Sequence, residues 1–137
     1  MSNLPLESIP SVALDFMNED HHEATLQMNA LHAALANYTP EQHQAICEQL
    51  EAVFQHSSEH FAREEAEMVR TGFPAYSCHK GEHERVLNEL SSVLESWKSE
   101  MPAAQLSDYL NNTLSPWFIN HLQTMDTVTA MYVSQQS

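Results

Sequence analysis

The sequence predicts an all-α fold, an antiparallel up-down-up-down four-helix bundle with a short N-terminal arm. Three observations carry that prediction. Two Gly and six Pro in 137 residues leave little material for tight hairpins. Ala, Leu, Glu, Gln and Met, which favour helix, are plentiful. Four long stretches repeat apolar residues at three- and four-residue steps and are joined by short connections, as helices do when each buries one face against its neighbours. The length suits one domain with a real core. We expect an arm over residues 1–11 and the bundle over residues 12–134.

Pro5 and Pro10 interrupt any helix in the arm. The first helix is expected from Val12 to Asn37, with Met17, His21, Ala24, Met28, Leu31 and Leu35 on its inner face. A strong start signal follows: Thr39 as N-cap, Pro40 at the first helical position and Gln42 at the capping-box position. The second helix should bury Ile46, Leu50, Val53, Phe54, Phe61 and Met68 and stop before Gly72 and Pro74. Ser77 is the expected cap of a third helix, whose stripe of Val86, Leu87, Leu90, Leu94 and Trp97 extends back to His79 and His83. The fourth should start around Pro102 and turn Leu106, Leu110, Leu114, Trp117, Phe118, Leu122, Met125, Val128 and Tyr132 inward. Pro116 lies inside that pattern, where it deletes a backbone hydrogen bond and crowds the carbonyl of Asn112, so a kink is expected there.

Charge and cysteine content narrow the function. Nineteen acidic residues against five basic ones give a formal charge of -14, which repels nucleic acid and anionic membranes. The start "MSNLPLESIP" has neither a basic segment nor an apolar run, and no segment is long and apolar enough to span a bilayer, so a cytoplasmic protein is expected. Cys47 and Cys78 are expected as free thiols.

Nine histidines, more than Lys and Arg together, are the anomaly. His21 falls on the inner stripe of the first helix, His60 and Glu64 on the second, His79 and His83 on the third, and His121 and Asp126 on the fourth. Burying such groups unpaired costs several kcal/mol (roughly 2–7 for an uncharged polar group, more for a charge). In each i, i+4 pair the second residue is turned only about 40° from the first, so both can reach one centre. Five imidazoles and two carboxylates suit iron, zinc, manganese or copper better than calcium or magnesium. They are too many for one tetrahedral zinc and suit two metal ions with bridging carboxylates. His121 and Asp126 are five apart, about 140° on an ideal helix, which calls for a different approach by the carboxylate, a locally widened helix, or a contribution from the Pro116 kink.

The stretches "MNEDHHE", "HFAREEAEM", "GFPAYSCHKGEHERVL" and "WFINHLQTMD", in that order, resemble the hemerythrin family, specifically its single-domain bacterial members, from about Met17 to Tyr132. The resemblance implies two iron ions, one bound by His79, His83 and His121 and the other by His21 and His60. It further implies that Glu64 and Asp126 bridge them with a solvent-derived oxo or hydroxo group, and that dioxygen is the ligand, binding end-on at the open position of the two-histidine iron.

An apolar wall is needed to keep water out of such a position. Met28, Leu31, Phe61, Trp117, Leu122 and Met125 are the candidates for that oxygen pocket. His22 and Glu23 adjoin the first proposed ligand, and His56 lies one turn from His60. Each could support the ligands from behind or replace one, although His56, His32 and His43 are expected at the surface. The leading expectation is an oxygen-binding protein for storage, delivery or sensing, not an enzyme, as a monomer or small homo-oligomer with an unknown protein partner. The alternatives are a di-iron enzyme that reduces peroxide or nitric oxide or oxidises iron, and a metal-store or structural metal-binding partner protein.

Overall fold

In the computed structural model, which describes residues 9–136, the chain is an antiparallel four-helix bundle. Helix α1 (Asp15–Ala36) leads through a 3-10 turn (Pro40–Gln42) into α2 (His43–Thr71), and α3 (Tyr76–Ser99) follows. The fourth rod is continuous but not uniform. It consists of α4 (Ala103–Tyr109), a π turn (Leu110–Leu114), α5 (Ser115–His121), a second π turn (Leu122–Asp126) and α6 (Thr127–Ser134). Most of the expected arm, residues 1–8, lies outside the described residues.

The helix ends follow local chemistry. Helix α1 starts at Asp15 rather than Val12, because the Asn18 side chain bonds both the N–H and the C=O of Val12, at 2.8 and 2.9 Å, and holds that residue outside the helix. The capping box at Thr39 forms, with the Thr39 N–H donating to Gln42 Oε1 at 3.0 Å. Gly72 ends α2 at φ 65°, the left-handed position that glycine takes without strain, and its N–H bonds back to Met68 and Val69. Helix α3 begins one residue before the expected Ser77 cap; Ala75 holds the N-cap position, and its carbonyl accepts from the His79 N–H at 3.0 Å.

One end of the bundle is filled by apolar side chains, among them Leu31, Ile46, Leu50, Leu90, Trp97 and Leu106. Trp97 is fully buried, and its indole N–H donates to the carbonyl of His43. The histidine ring returns the contact, stacking on Trp97 at 4.8 Å with its Nε2 against the Trp97 carbonyl at 2.8 Å, so His43 is half-buried rather than solvated. His32 also departs from expectation. It is 3 % exposed, because α1 buries a face wider than a single stripe.

The π turns correct the reading of the fourth rod. A π turn inserts one residue relative to an α-helix, so the buried stripe moves on by one position after it. Asp126 points inward as expected, but Thr129 and Val133 do so where Val128 and Tyr132 were expected, and Val128 is 59 % exposed. The first π turn lies immediately before Ser115 and Pro116, where the widened backbone accommodates the proline ring. The second is separated from it by α5, so the relation between His121 and Asp126 is set locally rather than by a kink at Pro116.

Candidate metal centre

All four rods send polar side chains into one buried slab. Among the described residues, donor atoms of Glu64, His79, His83, His121 and Asp126 lie within 4.8 Å of one another, and those of His21, His60, Glu64 and Asp126 form a second group within the same distance. The two groups share only Glu64 and Asp126. Every one of the seven residues is at most 6 % exposed.

Asp126 stands at the junction. Its Oδ1 lies 3.0 Å from His79 Nε2 and 3.1 Å from His121 Nε2, while Oδ2 lies 2.9 Å from His21 Nε2. Glu64 Oε2 is 2.7 Å from His60 Nε2, and Oε1 is 3.2 Å from His83 Nε2. The second π turn makes Asp126 available. In an i→i+5 turn residues five apart stack along the axis as i, i+4 pairs do in an α-helix, and this brings Asp126 beneath His121. The Thr127 hydroxyl and N–H both bond to the Leu122 carbonyl, closing the widened turn.

The rings are held from behind. His60 Nδ1 donates to Asp20 Oδ2 at 2.7 Å and His83 Nδ1 to Glu65 Oε2 at 2.9 Å. His79 Nδ1 meets the Thr129 hydroxyl at 2.7 Å. An ionised carboxylate only accepts, so His60 and His83 carry their proton on Nδ1. A neutral ring then presents the Nε2 lone pair to Glu64, whose oxygens also only accept. Both Glu64 oxygens and His83 Nε2 are buried without a hydrogen-bond partner among the described residues, despite these short separations. Acceptors facing acceptors need a cation between them, and imidazole nitrogen with carboxylate oxygen is the donor set of a transition metal. The residues fit a pair of metal ions.

In the protein without metal, a proton on His60 can meet part of this demand for positive charge. Burial opposes charge on His60, but Glu64 and Asp20 overcome it and push the ring up to about 10. Burial also opposes ionisation of Asp126, yet hydrogen bonds with His121, His21 and His79 hold its carboxyl well below the usual range. For Glu64, burial and the charge of Asp126 raise the carboxyl, and His60 and His83 bring it below its ordinary value.

An apolar cavity of 40 Å³ adjoins the slab, lined by His21 and His60 and, of the other three histidines, by His121 alone. Met28, Phe61 and Trp117 form part of its wall as expected. Phe61 stacks on His83 at 3.9 Å and Trp117 on His121 at 4.5 Å, so two aromatic rings shield ring faces of the site. Leu31 and Leu122 are fully buried elsewhere, and Met125 lines a separate cavity of 320 Å³ beside His79. The remaining apolar wall is Ala24, Val53, Val86, Leu90, Leu114 and Phe118. Each is three or seven residues from a histidine of the slab, a helical repeat that the sequence offered.

His22 and Glu23 are exposed, and it is His21 that faces the slab. His56 corrects the surface expectation. It is half-buried on the cavity wall, parallel to His60 at 6.3 Å, with its Nε2 3.0 Å from the Asp20 carbonyl. Asp20, Glu65 and Thr129 were missed. They touch rings on neighbouring rods, a relation that no repeat within one helix displays.

Residues 12–133 match the family model described as the hemerythrin HHE cation binding domain. A bacteriohemerythrin of Aquifex aeolicus (strain VF5) is 28% identical over 115 residues, covering 84% of this chain and 86% of the relative. One from Stenotrophomonas maltophilia (strain R551-3) is 28% identical over 120 residues, covering 88% of this chain and 74% of the relative. Among solved structures, a crystal structure of a mutant hemerythrin superposes with a TM-score of 0.83 over 98% of this chain and 99% of its own, at 21% identity. That likeness concerns the fold.

Proposed function

The chain belongs to the hemerythrin family, and from that premise we propose that it is a non-heme di-iron protein that reversibly binds dioxygen for storage, delivery or sensing in the cytoplasm. His79, His83 and His121 hold one iron, His21 and His60 hold the other, and Glu64 and Asp126 bridge them, with an oxo or hydroxo group from solvent as third bridge. The metals supply two electrons for reversible reduction of a bound diatomic ligand. The chain supplies the rest. Its imidazoles are aimed by the groups behind them, its shared carboxylates fix the spacing of the two ions, and its aromatic rings keep water away.

The observation that carries this reading is the cavity. Its 40 Å³ exceeds the roughly 10–15 Å³ that one water-sized guest requires. It reaches both histidines of the two-histidine group and only one of the three-histidine group, the side on which an iron held by fewer imidazoles would keep a coordination position open. A second reading, reduction of peroxide or nitric oxide, draws on His56 and Ser57, which also line the wall and can pass protons.

The test begins with metal analysis of the purified protein and then adds oxygen to the ferrous form under anaerobic control. An oxygenated absorption spectrum that reverses under vacuum supports carriage. Rapid conversion to a diferric form with peroxide consumption supports the enzyme, and no response to oxygen leaves a metal-store or structural role.

A further inference from the structure

Two imidazoles of the slab are backed by the same three-part arrangement. Behind His60, the Asp20 Oδ2 that accepts from Nδ1 also accepts from Arg63, at 2.8 Å from Nη2 and 3.1 Å from Nε. Behind His83, Glu65 divides its oxygens: Oε2 accepts from the ring, and Oε1 takes Lys80 Nζ at 3.2 Å. The other rings lack this device. His79 Nδ1 meets a neutral hydroxyl, and His21 Nδ1 is buried with no partner among the described residues. One imidazole in each donor group is therefore backed by a carboxylate, and each carboxylate by a cation.

Both arrangements cross between rods, from α1 to α2 through Asp20 and from α2 to α3 through Glu65. Arg63, Lys80 and Arg85 are three of the five basic residues in the chain. Arg85 pairs with Glu82, which accepts the indole N–H of Trp117, the ring stacked on His121. In so acidic a chain, this concentration of cations directly behind the site asks for a chemical reason.

A carboxylate behind a metal-bound imidazole fixes its tautomer, aims Nε2 and strengthens it as a donor. A cation on the same carboxylate withdraws part of that effect. We infer that Asp20 and Glu65 are positioning residues that each govern one metal position, Asp20 through His60 and Glu65 through His83, with Arg63 and Lys80 moderating how strongly each ring donates. The inference rests on the two-metal reading of the slab. Because Arg63 bonds the same oxygen as His60, whereas Lys80 bonds the opposite oxygen from His83, the moderation is stronger at the His60 position.

The experiment titrates the metal-free protein with cobalt(II), whose visible bands report how many positions fill and how tightly. His60→Ala and His83→Ala identify which band belongs to which position. Asp20→Asn is expected to weaken the His60 position about 10- to 100-fold and leave the His83 position unchanged, and Glu65→Gln to do the reverse. Asp20→Glu restores part of the loss, and Arg63→Met tightens the His60 position. Melting of each metal-free variant, read by circular dichroism, separates this crossed pattern from a general loss of fold.

Equal weakening of both positions by either variant, or no change by both, overturns the inference. The two-metal reading fails separately, when the unaltered protein takes up fewer than two ions, and the inference then fails with it. Two filled positions with a crossed response, but no response of the ferrous protein to oxygen, overturn the oxygen-binding proposal and uphold the assignment of Asp20 and Glu65.

Discussion

His121 Nε2 and Asp126 Oδ1 stand 3.1 Å apart although five residues separate them, and the π turn between them is the cause. On a regular helix the two would diverge by about 140°. Deleting the exposed Gln123 removes the extra residue and returns the turn to α geometry while α6 keeps its inner face. The two residues then stand four apart on a regular turn and still face one way, so the expected result is a protein of unchanged helix content that keeps both ions. Metal stoichiometry after dialysis checks this, and loss of the ions would refute the role given to the widened turn, which is to align two side chains five residues apart.

Metal removal should cost stability. The slab leaves both Glu64 oxygens and His83 Nε2 without hydrogen-bond partners among the described residues. A bound ion stabilises the fold by about 4 kcal/mol when it is a thousandfold above its dissociation constant. Chelation should therefore lower the melting temperature by on the order of 10 °C. A calorimetric scan before and after chelation, with removal verified by metal analysis, decides it.

Filling the cavity should separate metal binding from oxygen binding. Ala24 lies on the wall one turn from His21. Ala24→Leu places three more carbons into 40 Å³. Iron content should stay at the unaltered level, and the response of the ferrous protein to oxygen should slow or vanish. A variant with native oxygen spectra and rates would show that the ligand reaches the ions elsewhere.

His32 makes a pH prediction remote from the metals. Its ring is buried, Nε2 has no partner among the described residues, and burial lowers its pKa from the ordinary 6.5. The unfolded chain then binds a proton that the folded chain resists. Stability should fall as the pH drops below 6.5, because the unfolded state holds more protons there. His32→Leu should remove this part of the acid sensitivity and add on the order of 1 kcal/mol by relieving the unpaired nitrogen. Urea melts of both proteins at pH 7.5 and pH 5.5 read the difference, and parallel losses in the two would contradict it.

Much of the bundle was legible because helices announce themselves by period. The stripes of α1, α2 and α3 carried His21, His60, Glu64, His79 and His83 to one depth, and Thr39 with Gln42 marked a start that the structure reproduces. The period failed where the backbone departs from it. The five-residue spacing of His121 and Asp126 admitted a widened turn without fixing one, so Met125 and Val128 were placed inward beside Asp126, when Asp126 and Thr129 are the buried positions. Residues that act across rods were invisible for another reason. Asp20 is next to His21 in sequence, yet it meets His60, forty residues away. His32 and His43 were assigned to solvent because they lacked a ligand partner, and His56 because it shares a helix side with Gln49 and Arg63, but each is at least half-buried by packing or a backbone carbonyl.

The segmented fourth rod has a consequence for how the molecule assembles. Its α pieces are seven, seven and eight residues long, each shorter than the roughly 12–15 residues an isolated helix needs to persist in water. No single piece would hold a helix in isolation, so the rod relies on packing against the three longer helices. His121 and Asp126, the donors that complete the cluster, therefore ride on the rod whose regular stretches depend most on packing against the other three.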